Sequence, residues 1–260
     1  MSGGLFLTLL ALAGVAGFGS GFIGLGGGLL LFPLLYYLPP TLGLESIDAK
    51  TAAALVISQV FFGGLVGGAA HWRRGRVHGK LIVVGGVTSS AGAFFGGIAS
   101  KWVSEWFLLL LFGIVTIIAG AVMFLPAPSA EREAANIESV AIPSVALGAI
   151  AVAVGVVVGL LGAGNFLFVP LLIYLLKMPT RISIGSSLVI FVVNGFFGFL
   201  GKLVTGQIPL LMTFAIIAGA SLGALAGEKC HNRVSPKVLR YAYAGIIAIV
   251  ALRVWITLLC

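Results

Sequence analysis

Residues 24–38 read GLGGGLLLFPLLYYL, and residues 161–175 read LGAGNFLFVPLLIYL. Each stretch interrupts a long apolar run with glycines and places a proline a few residues later. Run 5–38 would be about 51 Å long as one straight helix, and run 142–176 slightly longer, against a hydrocarbon core of about 30 Å. Neither run can cross a bilayer once as a single helix, so each is read as a broken helix. The two stretches also match each other. Gly27 aligns with Gly164, Pro33 with Pro170, Leu34 with Leu171 and Tyr37 with Tyr174.

The match extends outward. Leu55-Val56-Ile57 aligns with Leu188-Val189-Ile190, Gly92-Ala93 with Gly223-Ala224, Gly96 with Gly227 and Ser104 with Ser235. The chain is therefore read as a tandem repeat of about 130 residues, the architecture of many secondary transporters. The first repeat is 1–125, with a hairpin at 5–38 and helices at 51–71, 81–100 and 106–125. A cytoplasmic linker at 126–141 follows. The second repeat is 142–260, with a hairpin at 142–176 and helices at 183–204, 208–227 and 238–259.

Composition agrees with this reading. Of 260 residues 60% are hydrophobic and 8% charged, and the mean hydropathy is +1.20. Soluble domains carry about 25% charged residues, so this chain cannot clothe a water-facing surface. A soluble enzyme, a nucleic-acid-binding domain and a disordered chain are excluded. The expected fold is an all-α polytopic membrane protein. Its 38 glycines point to close helix packing and broken helices.

The charges set the expected topology. All seven acids, Glu45, Asp48, Glu105, Glu131, Glu133, Glu138 and Glu228, lie at the edges of apolar runs or between them. The net charge of +8 gathers in two short loops, Arg73, Arg74, Arg76 and Lys80 in one, Lys229, Arg233, Lys237 and Arg240 in the other. This is the positive-inside pattern rather than a nucleic-acid patch. With both loops cytoplasmic, run 142–176 must cross an even number of times, so it enters and leaves on one face. Each half is then a hairpin plus three crossings, and the second half is inverted relative to the first. Lys177 and Arg181 fall inside, and both termini are placed outside the cell membrane. The linker also falls inside with only Arg132 among its bases, the least supported part of this topology. Met1-Ser2-Gly3-Gly4 has no basic start, so the first run is read as a membrane segment rather than a cleaved signal peptide. Cys230 and Cys260 have no metal-ligand spacing and read as free thiols. No cofactor is expected.

These motifs resemble the sulfite exporter TauE/SafE family. The resemblance is carried by the paired breaks GLGGGLLLFP and GAGNFLFVP, by SSLVIFVVNGFFGFLGKLVTGQI from Ser186, and by its first-half counterpart ending HWRRGRV from His71. It covers essentially the whole chain. It departs at Ala54, where the family usually has Thr or Ser, and at Asn165, where it has Gly. The resemblance implies a permease of the inner membrane for anions of sulfur metabolism such as sulfite, sulfoacetate, other organosulfonates or thiosulfate. Its partners would be that anion and the lipid bilayer, with no nucleic acid; the oligomeric state stays open, a homodimer being one option.

An anion at membrane depth needs hydrogen-bond donors. Helix N-termini supply free N–H groups and a partial positive charge, and glycine permits close approach and φ > 0. Gly26, Gly27 and Gly28 before one half-helix, and Gly162, Gly164 and Asn165 before the other, are the expected substrate-binding set. Taken singly, each glycine serves equally well as a tight turn. Pro33 and Pro170 are read as kinking or ending their half-helices. Gln59 and Asn194 sit mid-crossing, where their amides either donate to the anion or bond between helices. Ser186 and Ser187 join the set on the family resemblance, and Ser58 as a polar neighbour of Gln59. Ser89, Ser90 and Ser221 read as packing contacts. Lys202, near the outer end of its crossing, reads most simply as snorkelling to the headgroups; the alternative is a vestibule charge that draws an anion in. His71 reads as interfacial beside Trp72.

Absent motifs narrow the mechanism. No acid lies within an apolar run, so a carboxylate proton relay is not expected. There is no P-loop, HExxH or GxSxG, so neither ATP-driven export nor proteolysis is expected of this chain. The reading is a secondary exporter and not an enzyme. Alternatives are a passive anion channel on the same fold, a thiosulfate or sulfonate importer, and a non-transporting membrane scaffold.

Overall fold

The structure is a computed structural model that describes residues 2–23, 27–72, 78–124, 143–176, 178, 180–231 and 236–259. The linker 126–141, the bases Arg73, Arg74, Arg76, Lys177 and Arg233, and Gly26 lie outside the described residues, as do the side chains of His71, Trp72, Arg181, Lys237 and Arg240.

The described residues form α1 (Gly3–Ile23), α2 (Gly28–Thr41), α3 (Ala49–Trp72), α4 (Gly79–Ala99), α5 (Glu105–Phe124), α6 (Ser144–Leu161), α7 (Phe168–Tyr174), α8 (Thr180–Val204), α9 (Leu210–His231) and α10 (Pro236–Leu259). A short 3-10 turn, Asn165–Leu167, leads into α7. No strand occurs among the described residues. The chain is an all-α membrane protein. Gly3–Phe22, Gly79–Ala99, Ser144–Leu161 and Leu210–Gly227 are each long and apolar enough to cross a bilayer. Leu7, Phe95, Phe214 and Ile249 point outward and exposed, where hydrocarbon is the matching solvent.

Pairs of small residues decide which helices meet. α1 runs parallel to α9, with Gly17 against Ala220, Gly21 against Ala224, and Gly223 and Gly227 against Gly14 and Phe18. α6 runs parallel to α4 in the same manner, with Gly155 against Ser89 and Gly159 against Ala93. At these positions a Cβ would run into the facing carbonyl, so the backbones touch directly. This is how helices associate where lipid removes the hydrophobic drive between them. The exchange is reciprocal: the helix before the first break packs on α9, and the helix before the second break packs on α4. α3 meets α8, where Gly195 backs onto Phe61 and Gly198 onto Ile57, and α5 meets α10.

Both long runs turn back on themselves. After α1 the chain returns through α2, so that Leu44 comes to lie beside Gly4. Phe32 of α2 stacks on Phe112 of α5 with ring centroids 4.4 Å apart. Pro33 does not end its helix, which continues through it to Thr41. Loss of one N–H is tolerated there because Pro33 is packed inside protein, with Leu31, Phe32 and Leu35 buried around it.

Replacing Gly155 with Val should destabilise the fold by about 3 kcal/mol, because the added atoms meet the Ser89 backbone and neither helix can give way. Gly86, on the same helix α4, has nothing within 4 Å of a built Cβ, so Gly86→Ala should be neutral or stabilise by up to about 1 kcal/mol. Thermal melting in detergent measures both; equal melting temperatures for the two variants would contradict the packing described.

Candidate functional site: two helix breaks in contact

The second break is built on two left-handed glycines. α6 ends at Leu161, and Gly162 follows with φ 69°, its N–H donating to the Val158 carbonyl at 2.7 Å. Gly164 has φ 135°. L-side chains avoid both conformations. Gly162 also lies on the α3 backbone, where a Cβ would stand 2.6 Å from the Ile57 nitrogen. Here glycine is required twice over, by torsion and by space.

The first break differs. Gly27 caps α2 with φ −72° and ψ −4°, a torsion any residue adopts, so φ > 0 is not its reason for being glycine. Space is the reason: a Cβ on Gly27 would stand 2.5 Å from the Ala16 carbonyl and would collide with the Gln59 amide nitrogen. The Gly27 carbonyl accepts from Leu30 and Leu31 nitrogens at 3.1 and 2.9 Å. The first turn is thus formed, and the N–H groups of Gly28 and Leu29 have no helical carbonyl to bond.

The two breaks touch. A Cβ on Gly28 would stand 3.0 Å from Val56 Cγ1 and 3.3 Å from Ala163 Cβ. Around this contact lie polar side chains shut away from solvent. Gln59 is 2% exposed, Asn165 4% and Asn194 1%. Asn194 Nδ2 donates to Asn165 Oδ1 at 2.8 Å, which ties α8 to the second break. The other halves of both amides, Asn165 Nδ2 and Asn194 Oδ1, have no hydrogen-bond partner among the described residues, and neither does Gln59 Nε2 or Oε1. A buried polar atom left unpaired costs about 1–3 kcal/mol, so such a group calls for an explanation. Four such atoms, two amide donors (Gln59 Nε2, Asn165 Nδ2) and two acceptors (Gln59 Oε1, Asn194 Oδ1), beside a helix N-terminus, make a neutral polar site.

The remaining candidates sit elsewhere. Ser58 Oγ donates to the Ala54 carbonyl at 2.8 Å and is satisfied within its own helix. Ser186 Oγ accepts from the His78 N–H at 3.0 Å, at the far end of α8 from Lys202. Ser187 is fully buried with no partner for its hydroxyl among the described residues, about 10 Å along α8 from Asn194. Lys202 is fully buried: its ammonium donates to Ser100 Oγ at 2.6 Å and the Leu160 carbonyl at 3.3 Å, so it does not snorkel. Ser100 and Gln207 belong to that network; Gln207 stands in the Gly206-Gln207-Ile208 turn of the family motif, and no sequence motif singles out Ser100.

Leucine at position 59 removes two unpaired polar atoms and adds none. Gln59→Leu should therefore leave the melting temperature unchanged or raise it by the equivalent of about 1–3 kcal/mol. A fall of several degrees would mean that Gln59 is a structural hydrogen-bonding group.

Comparison with known proteins gives this arrangement its context. The chain matches the sulfite exporter TauE/SafE family over residues 9–254. It is 30% identical to a probable membrane transporter protein of Xylella fastidiosa strain 9a5c, covering 95% of this chain and 94% of that one. It is 23% identical to the probable membrane transporter protein YunE of Bacillus subtilis, covering 90% and 91%. A probable membrane transporter protein of Methanocaldococcus jannaschii is 24% identical, covering 95% and 96%. No solved structure matches the chain. A family match over nearly the whole length, on an all-α membrane fold, makes this chain a multi-pass membrane transporter for a small-molecule substrate, and it belongs to the sulfite exporter TauE/SafE family.

Proposed function

We propose that the chain is a secondary transporter that carries a small sulfur-containing oxyanion, such as sulfite, sulfoacetate or another organosulfonate, out of the cell across the inner membrane. The observation that carries this reading is the set of unpaired amide groups on Gln59, Asn165 and Asn194 where the two glycine breaks meet. A sulfite or sulfonate group presents several oxygen acceptors. Gln59 Nε2, Asn165 Nδ2 and the first-turn N–H groups of α2 are donors in a low-dielectric surrounding, where such bonds strengthen. The α2 N-terminus adds a partial positive charge. No charged side chain is needed to hold the anion, which leaves it weakly enough bound to be released.

Transport follows from symmetry on this reading. The reciprocal pairing of α1 with α9 and of α6 with α4 supports two inverted halves related by a pseudo-two-fold axis. Movement of the α1–α9 pair against the α4–α6 pair, each a unit drawn from both halves, would open the site to each face in turn. Both termini then lie outside the cell, and the Gln207 end of α8 faces out. An anion leaving a cell that is negative inside gains about 2.3 kcal/mol per charge for each 100 mV. Export therefore needs no coupled ion.

Proteoliposomes loaded with labelled sulfite, sulfoacetate or thiosulfate test the proposal. The wild type should release at least one of them with saturation and counterflow. A Gly27→Val, Gly164→Val double variant should be at least about tenfold slower, since both breaks lose the space their N–H groups need. Wild-type protein that moves none of these anions would overturn the substrate assignment; flux without saturation or counterflow would indicate a channel.

A further inference from the structure

A buried cation lies outside the amide cluster. Lys202 is fully buried on α8, eight residues and about 12 Å beyond Asn194. Its hydrogen bonds among the described residues go to neutral oxygens, Ser100 Oγ and the Leu160 carbonyl. Leu160 lies in the last turn of α6, so its carbonyl carries a share of the helix's negative end, which is far less than a full counter-charge. Ser100 Oγ is itself held, 2.7 Å from the Gly97 carbonyl and 2.8 Å from Gln207 Oε1. Gln207 Nε2 in turn donates to the Gly97 carbonyl and to Thr205 Oγ1 at 3.0 and 2.6 Å. Among the described residues the network contains no carboxylate.

Two acids at this end, Glu105 and Asp48, bond to backbone N–H groups of α3. Glu105 Oε1 accepts the Ala49 N–H at 2.8 Å, and Asp48 Oδ1 accepts the Thr51 N–H at 3.3 Å. A second ammonium, Lys50, also donates to a neutral oxygen, the Lys101 carbonyl at 2.8 Å. Lys50 and Gln207, together with Thr51 and Gly206, line a cavity of about 330 Å³. Gln207 thus stands in both the cavity wall and the Lys202 network. A buried ammonium without a counter-ion is costly, and at membrane depth such a residue marks an ion path.

We propose that Lys202 and Ser100 form a second anion site, distinct from the amide cluster. It takes a small oxyanion that arrives by way of the Lys50–Gln207 cavity, or leaves by it, and serves as the missing counter-ion. In binding, the ammonium exchanges its Leu160 carbonyl contact for an anion oxygen and keeps Ser100. Two sites in series along α8, one neutral and one charged, let an ion be held at each and trapped at neither. The inference rests on the reading that this chain carries anions, but not on the location of the central site.

The test follows the Lys202 side-chain nitrogen by NMR, in full-length protein labelled with ¹⁵Nζ-lysine and titrated with sodium sulfite. Lys202→Arg, which keeps the charge and is checked for an unchanged melting temperature, identifies the signal by its loss. The Lys202 signal is expected to move saturably with sulfite, both in the wild type and in Gln59→Leu, and not with sodium chloride at equal ionic strength. A signal unmoved by sulfite would overturn the site. Movement in the wild type that vanishes in Gln59→Leu would show that Lys202 only senses the central cluster, which also overturns it. Equal movement with chloride would overturn the oxyanion assignment. Should the protein move no sulfur anion in liposomes while the Lys202 signal still responds to sulfite, the transport proposal fails and this site stands.

Discussion

Backbone at membrane depth must find its hydrogen bonds inside the protein, and this requirement governs the break at Gly28 and Ala163. Interrupting two helices exposes N–H groups that lipid cannot satisfy. The fold meets the cost by burying both breaks against each other and against α3, where Val56 and Ile57 close the contact. Once the breaks are buried together, their unsatisfied donors are concentrated in one place. The feature that is expensive for folding is the one that suits an anion.

The rest of the molecule serves that contact. α1 and α6, the helices that lead into the breaks, form the two closest helix pairs, through glycine-to-carbonyl contacts with α9 and α4. Such contacts leave almost no slack, so the two breaks are placed by rigid pairs. The Asn194–Asn165 bond adds a directional tie from α8. Lys202 ties the end of α6 to the end of α4 through Ser100, which anchors the second break from its other side.

Much of this was legible along the chain. Hydropathy and the placement of charge gave the helical membrane class, and the two glycine–proline stretches gave the breaks and the family. Gln59 and Asn194 stood out as amides in the middle of apolar runs, and Asn165 as the residue standing in the second glycine motif. What a linear pattern does not carry is which face of a helix a residue occupies. Lys202 is near the end of its run, which suggests snorkelling, yet it sits on the face of α8 that meets α4 and α6. Ser58 and Gln59 are neighbours in sequence; one hydroxyl bonds back to its own helix while the amide beside it is left unpaired. Gly27 is expected from the sequence to give a ligand room and to permit φ > 0; its torsion is ordinary, and the space it leaves is taken by Ala16 and Gln59. Ser100 and Gln207 acquire meaning only through contacts between residues about a hundred positions apart, beyond any local signal.

Selenite is an isostere of sulfite whose selenium scatters anomalously, so its position in a crystal can be read directly. Diffraction from crystals of the protein soaked in selenite would locate the anion without reference to any transport assay. The expected result is an anomalous peak at the contact of the two breaks, with selenite oxygens within hydrogen-bond distance of Gln59 Nε2, Asn165 Nδ2 and the Gly28 nitrogen. A structure in which Gln59 and Asn165 instead bond to each other or to neighbouring helices, with no anion between the breaks at saturating selenite, would contradict it.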